Sequence, residues 1–149
     1  MADRLAVMHR GVIRRLGTPE EVYDHPGDCF TARFLGDINF IPGTLGADGV
    51  FSCALGDFKP ASCTASAGAA TGAIRPERIR FAAPGGDGIP GTVTGRTFLG
   101  ESCEWEVEAG GVTLVIKEAA APVRPLGSAC RLSFDMDFFM VMPAEGSDE

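Results

Sequence analysis

Ser102-Cys103-Glu104-Trp105-Glu106-Val107-Glu108-Ala109-Gly110-Gly111-Val112-Thr113-Leu114-Val115-Ile116 is the stretch on which the fold turns. Glu104, Glu106 and Glu108 alternate with Cys103, Trp105, Val107 and Ala109, and a period of two gives a strand one wet face and one dry face. Gly110-Gly111 supplies a two-residue turn in which both residues accept positive φ, and an apolar, β-branched run follows at once. The segment therefore reads as a β-hairpin with one face committed to a core.

The same grammar extends outward on both sides. Short apolar runs at Phe40 to Leu45, Val50 to Leu55, Ala69 to Arg75, Gly91 to Leu99, Ser128 to Phe134 and Phe138 to Met142 join the two strands of the hairpin, with Val112 running on to Glu118. Ala47-Asp48-Gly49, Pro84-Gly85-Gly86-Asp87-Gly88 and Pro122 to Gly127 punctuate them. No long helical period is present. Strands at this spacing predict a small barrel or sandwich, a mainly β domain over residues 39–149.

Residues 1–38 follow another pattern. Leu5 to Met8 and Val12 to Leu16 flank His9-Arg10-Gly11 and predict a second hairpin. Thr18, Pro19 and Glu21 form an N-cap, a first-turn proline and the acidic partner of a capping box. Asp28 caps another short helix, Cys29 to Leu35, that ends at Gly36. Phe30 and Phe34 share one face of it, and this aromatic pair is expected to pack against the following domain. A hairpin and two short helices cannot bury a core on their own, so this segment needs partners.

Composition narrows the class. The 149 residues are 45% hydrophobic with a formal net charge of −7, and no run approaches the roughly 18 apolar residues of a membrane span. No basic start precedes an apolar stretch, as a secretory signal would require. Five arginines nearly balance six acids through Asn39, so six of the seven net negative charges lie beyond it. Nucleic-acid binding is not expected, because positive charge is sparse and dispersed. Cys29, Cys53, Cys63, Cys103 and Cys130 include no Cys-x-x-Cys pair and read as reduced core residues of a cytosolic protein.

The order of elements from Asp3 to Tyr23 closely resembles the last part of the nucleotide-binding domain in ATP-binding subunits of ABC importers. Ala73-Ile74-Arg75-Pro76-Glu77-Arg78-Ile79-Arg80, Gly91-Thr92-Val93 through Phe98-Leu99-Gly100, and Gly127-Ser128 with Leu132-Ser133-Phe134 resemble the TOBE domain, an OB-type β-barrel, of the same proteins. Each motif is weak alone, and their order carries the likeness. It covers nearly the whole chain and is closest to the polyamine (spermidine/putrescine) and iron(III) branches. It implies residues 1–38 as the end of a nucleotide-binding domain and residues 39–149 as a regulatory OB-like domain. It also implies that the ATP-handling residues lie upstream of Met1, that the parent is an ATPase using ATP and magnesium, and that it works from the cytoplasmic side of the inner membrane.

Chemistry of its own would need recognisable constellations of residues. A phosphate-binding loop ends in Gly-Lys-Ser/Thr, so that backbone amides and lysine meet the phosphates; the only lysines, Lys59 and Lys117, follow Phe58 and Ile116. A Leu-Ser-Gly-Gly signature is absent, and so is an apolar run ending in Asp-Glu. Gly85-Gly86-Asp87-Gly88 leads to Ile89-Pro90 and reads as a turn. His9 and His25 lie near no cysteine or carboxylate set suited to a metal. Asp135-Met136-Asp137 opens like a calcium loop but lacks its glycine and distal glutamate. This chain alone is therefore not expected to be an enzyme, and neither catalytic, cofactor nor metal residues are expected in it.

The remaining candidates are structural or interfacial: Arg75, Pro76, Glu77, Phe98, Leu99, Gly100, Phe138 and Phe139. Proline removes a ladder donor and keeps Arg75 extended, so Arg75-Pro76-Glu77 should end a strand and open a tight turn. Arg75 and Glu77 either pair or anchor neighbouring loops, and Arg75, Arg78 and Arg80 read mainly as a solvated basic face. Phe134, Phe138, Phe139, Met140 and Met142 read as barrel core or a subunit contact. From the resemblance, the expected partners are a second copy, with exchange of strands as one route to the homodimer, and the membrane-spanning permease subunits. A free-standing OB-like module holding a small oxyanion or a nucleic acid is the alternative.

Overall fold

The computed structural model describes residues 3–83, 86–120 and 123–144. Met1, part of the turn at Pro84-Gly85 and the start of the Pro122 turn lie outside them.

The chain opens with β1 (Leu5–His9) and β2 (Val12–Gly17), an antiparallel pair that forms its own two-stranded sheet. Arg10 and Gly11 turn it with φ of 54° and 79°, the left-handed pair that a two-residue hairpin demands. Val7 is fully buried, whereas Met8, Val12, Ile13 and Leu16 are exposed. Helix α1 (Pro19–Asp24) follows, with the Thr18 side chain accepting from the Glu21 amide. Helix α2 (Cys29–Phe34) starts at Asp28, whose carboxylate accepts from Thr31 N–H at 2.8 Å.

The face of α2 that docks is not the aromatic one. Cys29 and Ala32, three positions apart, pack on Ala73, Met140 and Met142. Phe30 turns the other way and stacks on the His9 imidazole, ring centroids 3.9 Å apart, while Phe34 is 64% exposed. The small residues win because they let the helix axis approach the sheet; the phenylalanine pair would hold it off.

The rest is β. A six-stranded sheet runs in the order β5 (Gly56–Phe58), β4 (Phe51–Cys53), β3 (Asn39–Leu45), β7 (Gly68–Ile74), β13 (Met140–Pro143), β6 (Ser62–Cys63). A five-stranded sheet runs β11 (Val112–Ala119), β10 (Ser102–Ala109), β9 (Ile89–Phe98), β12 (Ala129–Phe134), β8 (Ile79–Phe81). Trp105, Val107, Leu114 and Ile116 from one sheet share a single core with Ile41, Phe51 and Ile74 from the other and with Phe139, which precedes β13, all essentially inaccessible. The two sheets wrap this core as a nearly closed barrel, so the mainly β reading holds.

The β10–β11 hairpin has the expected register, Ala109 opposite Val112 and Trp105 opposite Ile116. Gly110 and Gly111 have φ of 55° and 82°. Three strands escaped the sequence reading: β5, β6 and β8 are two or three residues long, too short for a period to show. The last strand begins at Met140 rather than Phe138. Asp135 caps a 3₁₀ turn, Met136–Phe138, by accepting from Asp137 N–H, and that turn consumes the expected first residue of the strand.

Candidate functional site

Arg75 follows β7, where Pro76 ends the ladder and opens a 3₁₀ turn, Pro76–Arg78. Its side chain leaves the barrel and enters the seam beneath both helices, and the residue is only 3% exposed. Nη1 donates to the carbonyls of Ala32, Gly36 and Asp37 at 3.1, 3.2 and 3.1 Å, two protons shared among three acceptors. Nη2 donates to Tyr23 O at 3.3 Å, and the guanidinium lies over the Tyr23 ring, 4.1 Å from its centroid. These carbonyls sit at or just past the C-terminal ends of α1 and α2, where unsatisfied C=O groups and the helix dipoles favour a cation.

Glu77 does not pair directly with Arg75. It accepts a hydrogen bond from Tyr23 Oη at 2.8 Å, so the carboxylate closes the cluster from the far side of the ring. Burial pushes the Arg75 pKa down, opposed by the favourable fields of Tyr23, Glu77, Asp24 and Asp37. Burial likewise raises the Tyr23 pKa, and its hydrogen bond to Glu77 adds to that. A protonated phenol beneath a charged guanidinium is the arrangement consistent with these contacts.

The basic trio is split. Arg75 is buried, Arg78 stacks 3.5 Å from the Phe138 ring centroid, and Arg80 is exposed. Phe139 is fully buried, its ring against Phe51, Phe58 and Phe134 with centroids 5.3 to 6.0 Å apart. It belongs to the core, whereas half-buried Phe138 forms the platform for Arg78. Phe98 and Leu99 lie elsewhere, 60% and 49% exposed at the tip of the β9–β10 hairpin, where Gly100 turns with φ of 93°. Arg75, Pro76 and Glu77 are therefore brought together, and Phe98, Leu99 and Gly100 are not part of that cluster.

Sequence reading missed Tyr23 and Asn39. Tyr23 is the only tyrosine in the chain and stands one residue before the end of a short helix, but no local pattern connects it with Arg75, 52 positions away. Asn39 is 6% exposed; its Nδ2 donates to Val115 O at 2.9 Å and its Oδ1 accepts from Val115 N–H at 2.7 Å. One asparagine thus pairs with both main-chain polar groups of a β11 residue, an arrangement with no sequence signature.

The chemistry of this arrangement is binding and positioning. Among the described residues no group of three or more His, Cys, Asp and Glu side chains is placed to hold a metal ion. The Gly86-to-Gly88 turn feeds β9 rather than a helix, so it offers no helix N-terminus to phosphates. Among the described residues no helix is long and apolar enough to cross a membrane.

Most of the chain is similar to known proteins. Residues 72–142 match the TOBE domain family. The chain is 34% identical over 128 residues to a spermidine/putrescine import ATP-binding protein of Ruegeria pomeroyi, covering 82% of this chain and 35% of that protein. It is 36% identical over 140 residues to an Fe(3+) ions import ATP-binding protein of Rhizobium etli, covering 91% and 40%. A spermidine/putrescine import ATP-binding protein of Pseudomonas aeruginosa is 38% identical over 126 residues, covering 78% and 34%. The chain spans 34 to 40% of the length of these relatives. It carries a TOBE domain and corresponds to the C-terminal region of the ATP-binding subunits of polyamine and iron(III) ABC importers.

Proposed function

We propose that this chain acts as the C-terminal regulatory and dimerisation region of an ABC-importer ATP-binding subunit that serves polyamine or iron(III) uptake. It does not hydrolyse ATP alone. The observation that supports this most directly is the extent of the likeness: it takes in 91% of the chain in the iron(III) relative, hence both the hairpin–helix segment and the barrel, and Arg75 ties those two parts together.

In this reading ATP and magnesium are handled by a nucleotide-binding domain, and movement of that domain reaches the barrel through α1, α2 and Arg75. The exposed apolar residues of β1 and β2, Met8, Val12, Ile13 and Leu16, are the surface on which the nucleotide-binding domain rests. Two copies associate through their barrels, and membrane-spanning permease subunits hold the assembly at the cytoplasmic face of the inner membrane.

Deleting the coding region in its host and measuring uptake of labelled spermidine, putrescine and iron(III) tests the reading. Loss of one uptake activity, restored by the intact gene, is the expected result and names the solute. Unchanged uptake of all three would overturn it. Light scattering on the purified chain tests association separately: a mass of two chains is expected, and a monomer at every concentration contradicts the dimer.

A further inference from the structure

We propose that Asn39 is a latch on the edge of the barrel whose closure depends on where Arg75 holds the N-terminal segment. Among the described residues β11 is the last strand of the five-stranded sheet and pairs with β10 on one side only. In an antiparallel strand the N–H and C=O of one residue point the same way, and those of Val115 both meet the Asn39 carboxamide, at 2.7 and 2.9 Å. The side chain does for Val115 what a neighbouring strand would do. An edge strand left open is a template for pairing with other chains, so this two-point bond is a guard.

Asn39 is also where the N-terminal segment enters the barrel. It is the first residue of β3 and lies opposite Ile74, the residue before Arg75. Arg75 Nη1 holds the carbonyls of Gly36 and Asp37, and Ile38 alone separates Asp37 from Asn39. A residue spans at most about 3.6 Å of chain, which leaves little slack between the two anchors. A hydrogen bond is lost within a few tenths of an ångström beyond about 3.2 Å. Displacing the segment off Arg75 therefore pulls Asn39 from Val115, and the barrel edge registers the position of α1 and α2. This inference concerns the chain as it folds and does not depend on the importer reading.

Residue-resolved amide hydrogen exchange on the full chain decides it. In the wild type under rising urea, Val115 N–H is expected to open with Ala32 and Leu35, whose amides bond within α2 and its C-cap, and well before Trp105 and Val107 of the core strand. Opening of Val115 only together with Trp105 and Val107 would overturn the coupling. In Arg75→Lys, exchange at Val115 should rise at least tenfold with Val107 unchanged; an unaltered Val115 rate overturns the proposal. Asn39→Ala should produce the same tenfold rise, and its failure to do so would remove the latch itself. Should either variant not fold, the wild-type profile alone still decides between the two outcomes.

Discussion

The Arg75 guanidinium lies over the ring of Tyr23, 4.1 Å from its centroid, and at the same time donates to the Tyr23 carbonyl at 3.3 Å. One residue of α1 is thus gripped through both its side chain and its backbone by one residue of the barrel. Tyr23 passes the contact on to Glu77, two positions after Arg75, so the cluster loops back to the element where it started.

Replacing Arg75 should be costly, and unequally so. Hydrogen bonds to charged groups contribute about 1.5–3 kcal/mol each, and orphaned buried carbonyls add a desolvation cost. Arg75→Met is expected to lose about 3 kcal/mol, whereas Arg75→Lys keeps the charge but not the planar fork and should lose about half of that. Urea unfolding followed by the fluorescence of the only tryptophan, Trp105, measures both. Equal effects would contradict the geometric role of the fork.

Tyr23 gives a pH signature. Burial first, and then its hydrogen bond to Glu77, hold its pKa above the ordinary value of 10.0. The folded state thus keeps the phenol proton longer than the unfolded state does. The associated stability is complete below pH 10 and is lost as pH rises from 10 through the folded pKa. Because no other tyrosine is present, ultraviolet titration of tyrosinate should show a midpoint above 10.0 that returns to 10.0 in concentrated urea. Glu77→Gln should lower the folded midpoint, and Tyr23→Phe should flatten the decline in stability above pH 10.

Phe139 and Phe98 separate core from surface. Phe139→Ala removes a fully buried ring packed on three others and should cost about 3–5 kcal/mol. Phe98→Ala removes a ring that is 60% exposed and should stay within about 0.5 kcal/mol. Thermal denaturation of the two variants side by side tests the contrast. A Phe98 variant as unstable as the Phe139 variant would place the β9–β10 tip inside a contact that stabilises the fold.

Gly72 is a packing residue. A methyl group there would sit 2.8 Å from Phe51 Cε2 and 2.9 Å from Phe139 Cζ, closer than carbon atoms tolerate. Gly72→Ala should destabilise by about 1–3 kcal/mol. Phe51→Leu in the same chain should recover part of that loss, so a double-mutant cycle should give a coupling of about 1 kcal/mol. Strict additivity of the two changes would show that the clash is relieved elsewhere.

Much of the fold was readable because it depends on local rules. The period of two in Ser102–Ala109 and the Gly110-Gly111 turn gave the central hairpin and its register, and Thr18 and Asp28 marked both helix starts. The reading failed where tertiary contacts outweighed local pattern. Phe30 and Phe34 looked like the docking face of α2, yet Cys29 and Ala32 took it because small side chains allow close approach. Phe138 looked like strand, yet the Asp135 cap drew it into a turn.

The candidate site was half legible. Arg75-Pro76-Glu77 stood out as a strand end followed by a turn, with pairing or anchoring left open. Alternation, turn glycines and caps are properties of neighbours along the chain, so sequence alone settled a mainly β domain preceded by a hairpin and two short helices. That Arg75 anchors rather than pairs was decided only in three dimensions. Its acceptors are main-chain carbonyls, which every residue carries and no residue name reveals. The same holds for the bond between Asn39 and Val115, 76 positions apart: a carboxamide stands in for a peptide only because folding brings the start of β3 beside the open edge of β11.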